Sequence, residues 1–173
     1  MQGMCFGGGG MTQRVSLSIE QWMVLREGGA EAPPIWFTVV GSSMFPLIRV
    51  KRDQVMLVSV SPEDIKVGDI VLFPGHYKGG EYCLHRVWKL NGDRVQTFGD
   101  GNRHPDGWFP RERILGRAKL IRRGNRTIDC EDPKWRRRAI RWCALWRLRP
   151  ILILPHRALD KIERMLRKNK VHG

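Results

Sequence analysis

Tyr82-Cys83-Leu84-His85-Arg86-Val87-Trp88-Lys89-Leu90-Asn91-Gly92-Asp93-Arg94-Val95-Gln96-Thr97-Phe98 decides the fold class. Its two ends, 82–90 and 95–98, read as β segments, and Asn91-Gly92 between them tolerates the positive φ that a tight hairpin needs. Working outward, similar short β segments separated by turn residues are predicted at 35–40, 54–60, 69–73 and 114–121. Strands of this length and spacing predict a mainly β domain, an antiparallel sandwich or distorted barrel.

The flanks read differently. Gly7, Gly8, Gly9 and Gly10 make the first ten residues costly to order, and a short amphipathic helix is predicted over 16–26, where Leu17, Ile19, Trp22, Met23 and Leu25 fall near helical spacing. Asp132-Pro133 opens a second helix as N-cap and first helical residue. Trp135, Ala139, Trp142, Cys143 and Trp146 lie along one face of it, and Arg136, Arg137, Arg138 and Arg141 on the rest. Pro150 and Pro155 predict a break around Ile151-Leu152-Ile153-Leu154, before a last helix from Ala158 with Leu159, Ile162, Met165 and Leu166 on one side. The expected division is 1–34 as leader and short helix, 35–129 as the β domain, and 130–173 as a basic helical tail.

At 173 residues the chain is one domain's worth of material, and 42% apolar with 28% charged residues excludes wholesale disorder and a collagen-like repeat. The net charge of +14 favours an anionic partner. From Cys130 to Gly173 there are 13 Lys and Arg against 4 Asp and Glu, so +9 of that charge belongs to the tail. Cys5, Cys83, Cys130 and Cys143 are too scattered for a zinc knuckle or a dense disulfide framework, so free thiols are expected. No run of ~18 apolar residues suggests a spanning helix, and the N-terminus shows no secretory signal. A cytoplasmic protein, or one peripheral at a membrane, is the expectation.

Gly41-Ser42-Ser43-Met44-Phe45-Pro46 is the segment with chemistry in it. A serine hydroxyl needs a base within reach, a group that orients the base, and donors for the oxyanion. Gly41 and Ser42 would let backbone amides approach a reacting carbonyl. Cys83 shares a strand face with His85, but neighbours at i and i+2 point in parallel, an awkward arrangement for a Cys–His nucleophile pair.

In five short boxes the chain resembles the signal peptidase I family, in the serine–histidine branch of the eukaryotic and archaeal enzymes. Ser43-Met44-Phe45-Pro46 matches the nucleophile box Ser-Met-x-Pro, and Val67-Gly68-Asp69-Ile70-Val71 the Gly-Asp-Ile-Val strand entry. Leu84-His85-Arg86-Val87 fits the His-Arg-Val box, where bacterial housekeeping enzymes carry lysine. Gly99-Asp100-Gly101-Asn102 followed by Asp106 is similar to the Gly-Asp-Asn-Asn box, and Ile114-Leu115-Gly116-Arg117 to the closing Leu-Gly strand. The resemblance covers about residues 39–121 and implies the antiparallel β domain shared with self-cleaving repressors.

It implies a serine endopeptidase that cuts a signal or leader peptide and needs no metal or cofactor. Ser43 would be the nucleophile, His85 the general base and Asp106 its orienter, with Asp100 as second choice for that role. Gly41 and Ser42 would help the oxyanion site, and Met44 and Phe45 would line a shallow substrate cleft. The expected partners are a peptide or preprotein and, through the basic tail, an anionic membrane surface; nucleic acid ranks lower because no nucleic-acid motif accompanies the charge. The competing reading is a degenerate peptidase fold serving as a binding module for lipid or nucleic acid. A self-cleaving regulator ranks third, since about 40 residues before Ser43 are too few for a DNA-binding domain and cleavage loop.

Overall fold

The computed structural model describes residues 18–50, 52–75, 82–156 and 158. The glycine-rich leader and the last helix expected from Ala158 therefore fall almost wholly outside the described residues. The first described element is helix α1 (Ile19–Glu27), capped by a reciprocal pair in which Ser18 Oγ accepts from the Gln21 amide and Gln21 Oε1 accepts from the Ser18 amide. Trp22 of this helix is fully buried, and its indole N–H donates to Pro33 O at 2.8 Å.

Among the described residues eight strands follow: β1 (Ile35–Thr38), β2 (Asp53–Val58), β3 (Ile70–Pro74), β4 (Tyr82–Asn91), β5 (Arg94–Phe98), β6 (Trp108–Pro110), β7 (Gly116–Arg123) and β8 (Arg126–Asp129). They form one curled antiparallel sheet in the order β1-β2-β7-β3-β4-β5-β6, with β8 added on β7. The fold is thus mainly β, as expected, and its curled half-barrel sheet stands nearer the distorted barrel than the sandwich.

Both faces of its middle are covered. Ile70 and Leu72 of β3 enter the larger core with Trp22, Met44, Ile48, Val55 and Leu57, while Val71 and Phe73 enter a second core with Val87, Val95 and Phe109. Burial on both faces is why Ile70-Val71-Leu72-Phe73 is apolar without alternation.

The hairpin sits one residue later than the sequence suggests. Asn91 pairs with Arg94, so the two-residue loop is Gly92-Asp93, with Gly92 at φ +55°. Gly124-Asn125 repeats that solution between β7 and β8, since Arg123 pairs with Arg126 and Gly124 has φ +57°.

Asp132 Oδ1 caps α2 (Pro133–Ala144) through the amides of Lys134 (2.8 Å) and Trp135 (3.0 Å). The helix docks on the sheet: Arg136 Nη1 donates to Asp69 Oδ1 at 2.7 Å, Ala139 and Cys143 are buried, and Ile140 packs against Gly68. A 3₁₀ turn at Trp146–Leu148 leads into residues 149–156, which are helical where a break was expected around the two prolines. Pro150 falls in the first turn of that segment, where its missing N–H has no helical partner to lose. No described helix is long and apolar enough to cross a membrane.

Candidate active site

His85 lies in the middle of β4, opposite Val71 of β3, and is 5% exposed. Its Nδ1 stands 2.7 Å from Oδ2 of Asp106. An ionised carboxylate is acceptor-only, so beside ionised Asp106 the shared hydrogen sits on Nδ1 and neutral His85 keeps its lone pair on Nε2. Nε2 is hydrogen-bonded to none of the described residues. The ring packs edge-on against Phe73, with centroids 6.0 Å apart.

Asp106 is itself fastened to β5. Thr97 Oγ1 donates to the same Oδ2 at 2.6 Å, the Asp106 amide donates to Thr97 O at 2.9 Å, and Gln96 Nε2 donates to Asp106 O at 2.9 Å. Of the two candidate aspartates, then, Asp106 meets the histidine. Asp100 turns elsewhere: both of its oxygens take hydrogen bonds from Arg86, at 2.9 and 2.7 Å, with neither side chain exposed. Burial opposes the charge on Arg86, but Asp100 outweighs it and holds the guanidinium above its ordinary value. Arg86 Nη1 also donates to Gly68 O at 2.8 Å.

Ser43 begins a turn over residues 43–47, closed by Phe45 N to Ser42 O (3.0 Å) and Ile48 N to Met44 O (2.9 Å). Phe45-Pro46 in this turn is a cis peptide. Ser43 is half-buried, and its carbonyl accepts from the Gly101 amide at 2.7 Å. The approach is so close that a Cβ on Gly99 would lie 2.8 Å from Ser43 O, and one on Gly101 2.7 Å from Phe45 O. Gly99 directly follows Phe98, the strand partner of Arg86, and Arg86 follows His85. The Ser43 turn and the His85–Asp106 pair are therefore built on the same end of the β4–β5 ladder, though no hydrogen bond joins Ser43 to His85.

Gly41 has an ordinary φ and a Cβ there would meet nothing within 4 Å, so neither backbone conformation nor crowding requires glycine at that position; the close approach to the Ser43 turn is made by Gly99 and Gly101. Ser42 is exposed, and its carbonyl closes the turn. Met44 is 1% exposed within the larger core, so its side chain anchors the turn rather than lining an open cleft; Phe45 is half-buried.

Arg86, already within the His-Arg-Val box, carries the site's support together with Thr97 and Gln96, which do not stand out in the sequence. Thr97 reaches the His85 face through an irregularity between Val87 and Lys89. Above it Asn91 pairs with Arg94; below it Thr97 pairs with Val87, where an unbroken ladder would have put it opposite Trp88 and on the far face. Among the described residues no three His, Cys, Asp or Glu side chains converge to hold a metal ion. Cys130 and Cys143 are buried thiols; burial pushes Cys130 up to about 12 and Cys143 in the same direction, which leaves both without nucleophilic thiolate at neutral pH.

No family model matches the chain, and no solved structure matches it. It is similar to an uncharacterized protein of Methanocaldococcus jannaschii, 27% identical over 134 residues, which cover 72% of this chain and 56% of the relative. The match thus spans little more than half the length of that relative.

Proposed function

We propose that the chain is a serine endopeptidase of the signal-peptidase type that cuts a signal or leader peptide. Ser43 attacks the scissile carbonyl, His85 Nε2 takes the proton and returns it to the leaving amine, and Asp106 holds the ring. The observation that carries this reading is the His85–Asp106 bond of 2.7 Å, braced by Thr97 and leaving Nε2 with no hydrogen bond among the described residues, beside a serine turn seated on the adjoining 99–101 turn. A histidine buried for packing alone needs no second donor converging on its carboxylate.

The partners follow from the exposed side of the tail. Lys134, Arg137, Arg138 and Arg141 form an open basic face on α2, followed by exposed Leu145, Leu148, Ile151 and Leu154. Cations beside exposed aliphatic residues suit the headgroup boundary of an anionic membrane, so the enzyme would sit peripherally there, processing a peptide or preprotein. The same face supports the competing reading, a binding module with a relic site, in which lipid is favoured over nucleic acid because of those aliphatic residues.

The test is cleavage of leader peptides with small residues before the cut, with and without phosphatidylglycerol vesicles, by the full chain and by Ser43→Ala. Cleavage lost in Ser43→Ala supports the peptidase. Vesicle binding that weakens with salt, without cleavage of any peptide in a broad library, supports the module.

A further inference from the structure

We propose that the C-terminal helical segment is part of the catalytic unit, with Arg149 and Trp142 as positioning residues that clamp the 99–101 turn on which Ser43 is seated. The inference rests on the peptidase reading above and extends it to residues outside the resemblance.

Three bonds make the clamp. Trp142 Nε1 of α2 donates to Asp100 O at 3.2 Å, Arg149 Nη1 donates to Gly99 O at 3.2 Å, and Arg149 Nε donates back to Trp142 O at 3.3 Å. One guanidinium thus ties a carbonyl of the turn to a carbonyl of α2. From the turn, Gly101 N–H passes the constraint to Ser43 O at 2.7 Å. The helix after Arg149 lies against the same turn, with a cleft of about 90 Å³ between Gly101, Asn102 and Arg103 on one side and Pro150, Ile153 and Leu154 on the other.

Arg149 is an expensive way to fill space. It is fully buried, none of its hydrogen bonds goes to a carboxylate, and Nη2 has no hydrogen-bond partner. Burial pushes it below its ordinary value, with Asp100 nearby acting against that, and the guanidinium lies 4.1 Å from the Phe98 ring centroid. An apolar side chain of similar volume would serve packing as well or better. What it cannot supply is a rigid fork of donors aimed at two carbonyls at once, and a lysine cannot either.

The clamp also reaches the histidine side of the site. Phe98 under Arg149 is the strand partner of Arg86, and Asp100, whose carbonyl takes the Trp142 indole, gives its carboxylate to Arg86. The 99–101 turn is thereby held from the sheet by Arg86 and from the tail by Arg149 and Trp142.

The test compares the full-length wild type with Arg149→Met, Arg149→Lys and Trp142→Phe by two readouts. The first is amide exchange at Gly101, with Val87, whose N–H donates to Asp69 O at 2.8 Å, as internal reference for the fold. The second is the rate of Ser43 acylation by a fluorophosphonate, resolved into apparent affinity and maximal rate. The loss of bonds made by a charged donor implies Gly101 exchange about tenfold faster in Arg149→Met, with Val87 unchanged, and a maximal rate about tenfold lower at little-changed affinity. Arg149→Lys should behave like Arg149→Met, and Trp142→Phe should show the same pattern more weakly.

Unchanged Gly101 exchange, equal acceleration at Gly101 and Val87, or full recovery in Arg149→Lys would each overturn the clamp. A wild type that is never acylated would overturn the peptidase reading instead, and the Gly101 exchange would then decide the clamp alone.

Discussion

Arg86 and Asp100 meet in a two-point ion pair with neither side chain exposed, one residue along β4 from His85 and one residue before Gly101. A pair in that position joins the strand that carries the histidine to the turn that seats the serine. Removing one partner strands the other charge in the interior. Arg86→Met is expected to destabilise the protein by about 3–5 kcal/mol in urea unfolding, and Arg86→Met/Asp100→Leu to recover much of that loss. If the double variant is as unstable as the sum of the singles, the two residues act separately.

The bracing of His85 predicts a graded loss of activity. Asp106→Asn removes the carboxylate that sets the ring tautomer, and is expected to slow Ser43 acylation by about 10²–10⁴-fold. Thr97→Val deletes one of the two donors to Asp106 Oδ2 while keeping the side-chain shape, so a loss of roughly five- to tenfold is expected. Stopped-flow acylation with the folded variants measures both. A Thr97→Val rate equal to wild type would show that the hydroxyl does not support the carboxylate.

The hairpin and most of the strands are legible in the sequence, because short apolar or alternating segments are punctuated by turn residues. Two strands are not. Trp108-Phe109-Pro110 is three residues long and ends in a proline tolerated at the sheet edge it forms, while Arg126–Asp129 is polar and becomes a strand by hairpin pairing through Gly124-Asn125. His85 and Asp106 stand out through the boxes that carry the resemblance, and the fold brings the two within 2.7 Å of each other. Thr97 does not, because its face depends on a bulge that shifts the ladder by one residue, and no periodicity records that. Arg149 is hidden by its composition: in a segment of 13 cations it reads as one more solvated charge, yet it is fully buried.

Gly101 separates positioning from stability in another way. Its φ is ordinary, so alanine costs little backbone strain, but the new Cβ would sit 2.7 Å from Phe45 O and 3.2 Å from Ser42 O. The serine turn must then move by some tenths of an ångström. Gly101→Ala is expected to lower the acylation rate at least tenfold for a loss of stability of about 1–3 kcal/mol, read by parallel labelling and thermal melts. Wild-type labelling would mean that the turn yields without moving the hydroxyl.

Acid should loosen the far side of the sheet. Burial works to raise the Asp53 carboxyl, but the hydrogen bonds and charge of Arg123, the Arg49 amide and Arg52 outweigh it and hold it below its ordinary value. A group lowered in the folded state stabilises fully above its unfolded value of about 3.9, and the contribution drains away as pH falls through the folded value. Stability should therefore decline below about pH 4. Asp53→Asn should cost about 1–3 kcal/mol at neutral pH and show a flatter acid limb, since that linkage is gone. Parallel acid limbs for the two proteins would contradict this.

The central claim is that Ser43, His85 and Asp106 form one reactive site. Its most direct test is intact-mass analysis of the wild type, Ser43→Ala and His85→Ala after exposure to a fluorophosphonate and to an electrophilic lipopeptide, with folding checked by circular dichroism. The account predicts a single adduct on the wild type, mapped to Ser43 and absent from both variants. An adduct that persists in Ser43→Ala, or a folded wild type inert to both probes, would contradict it.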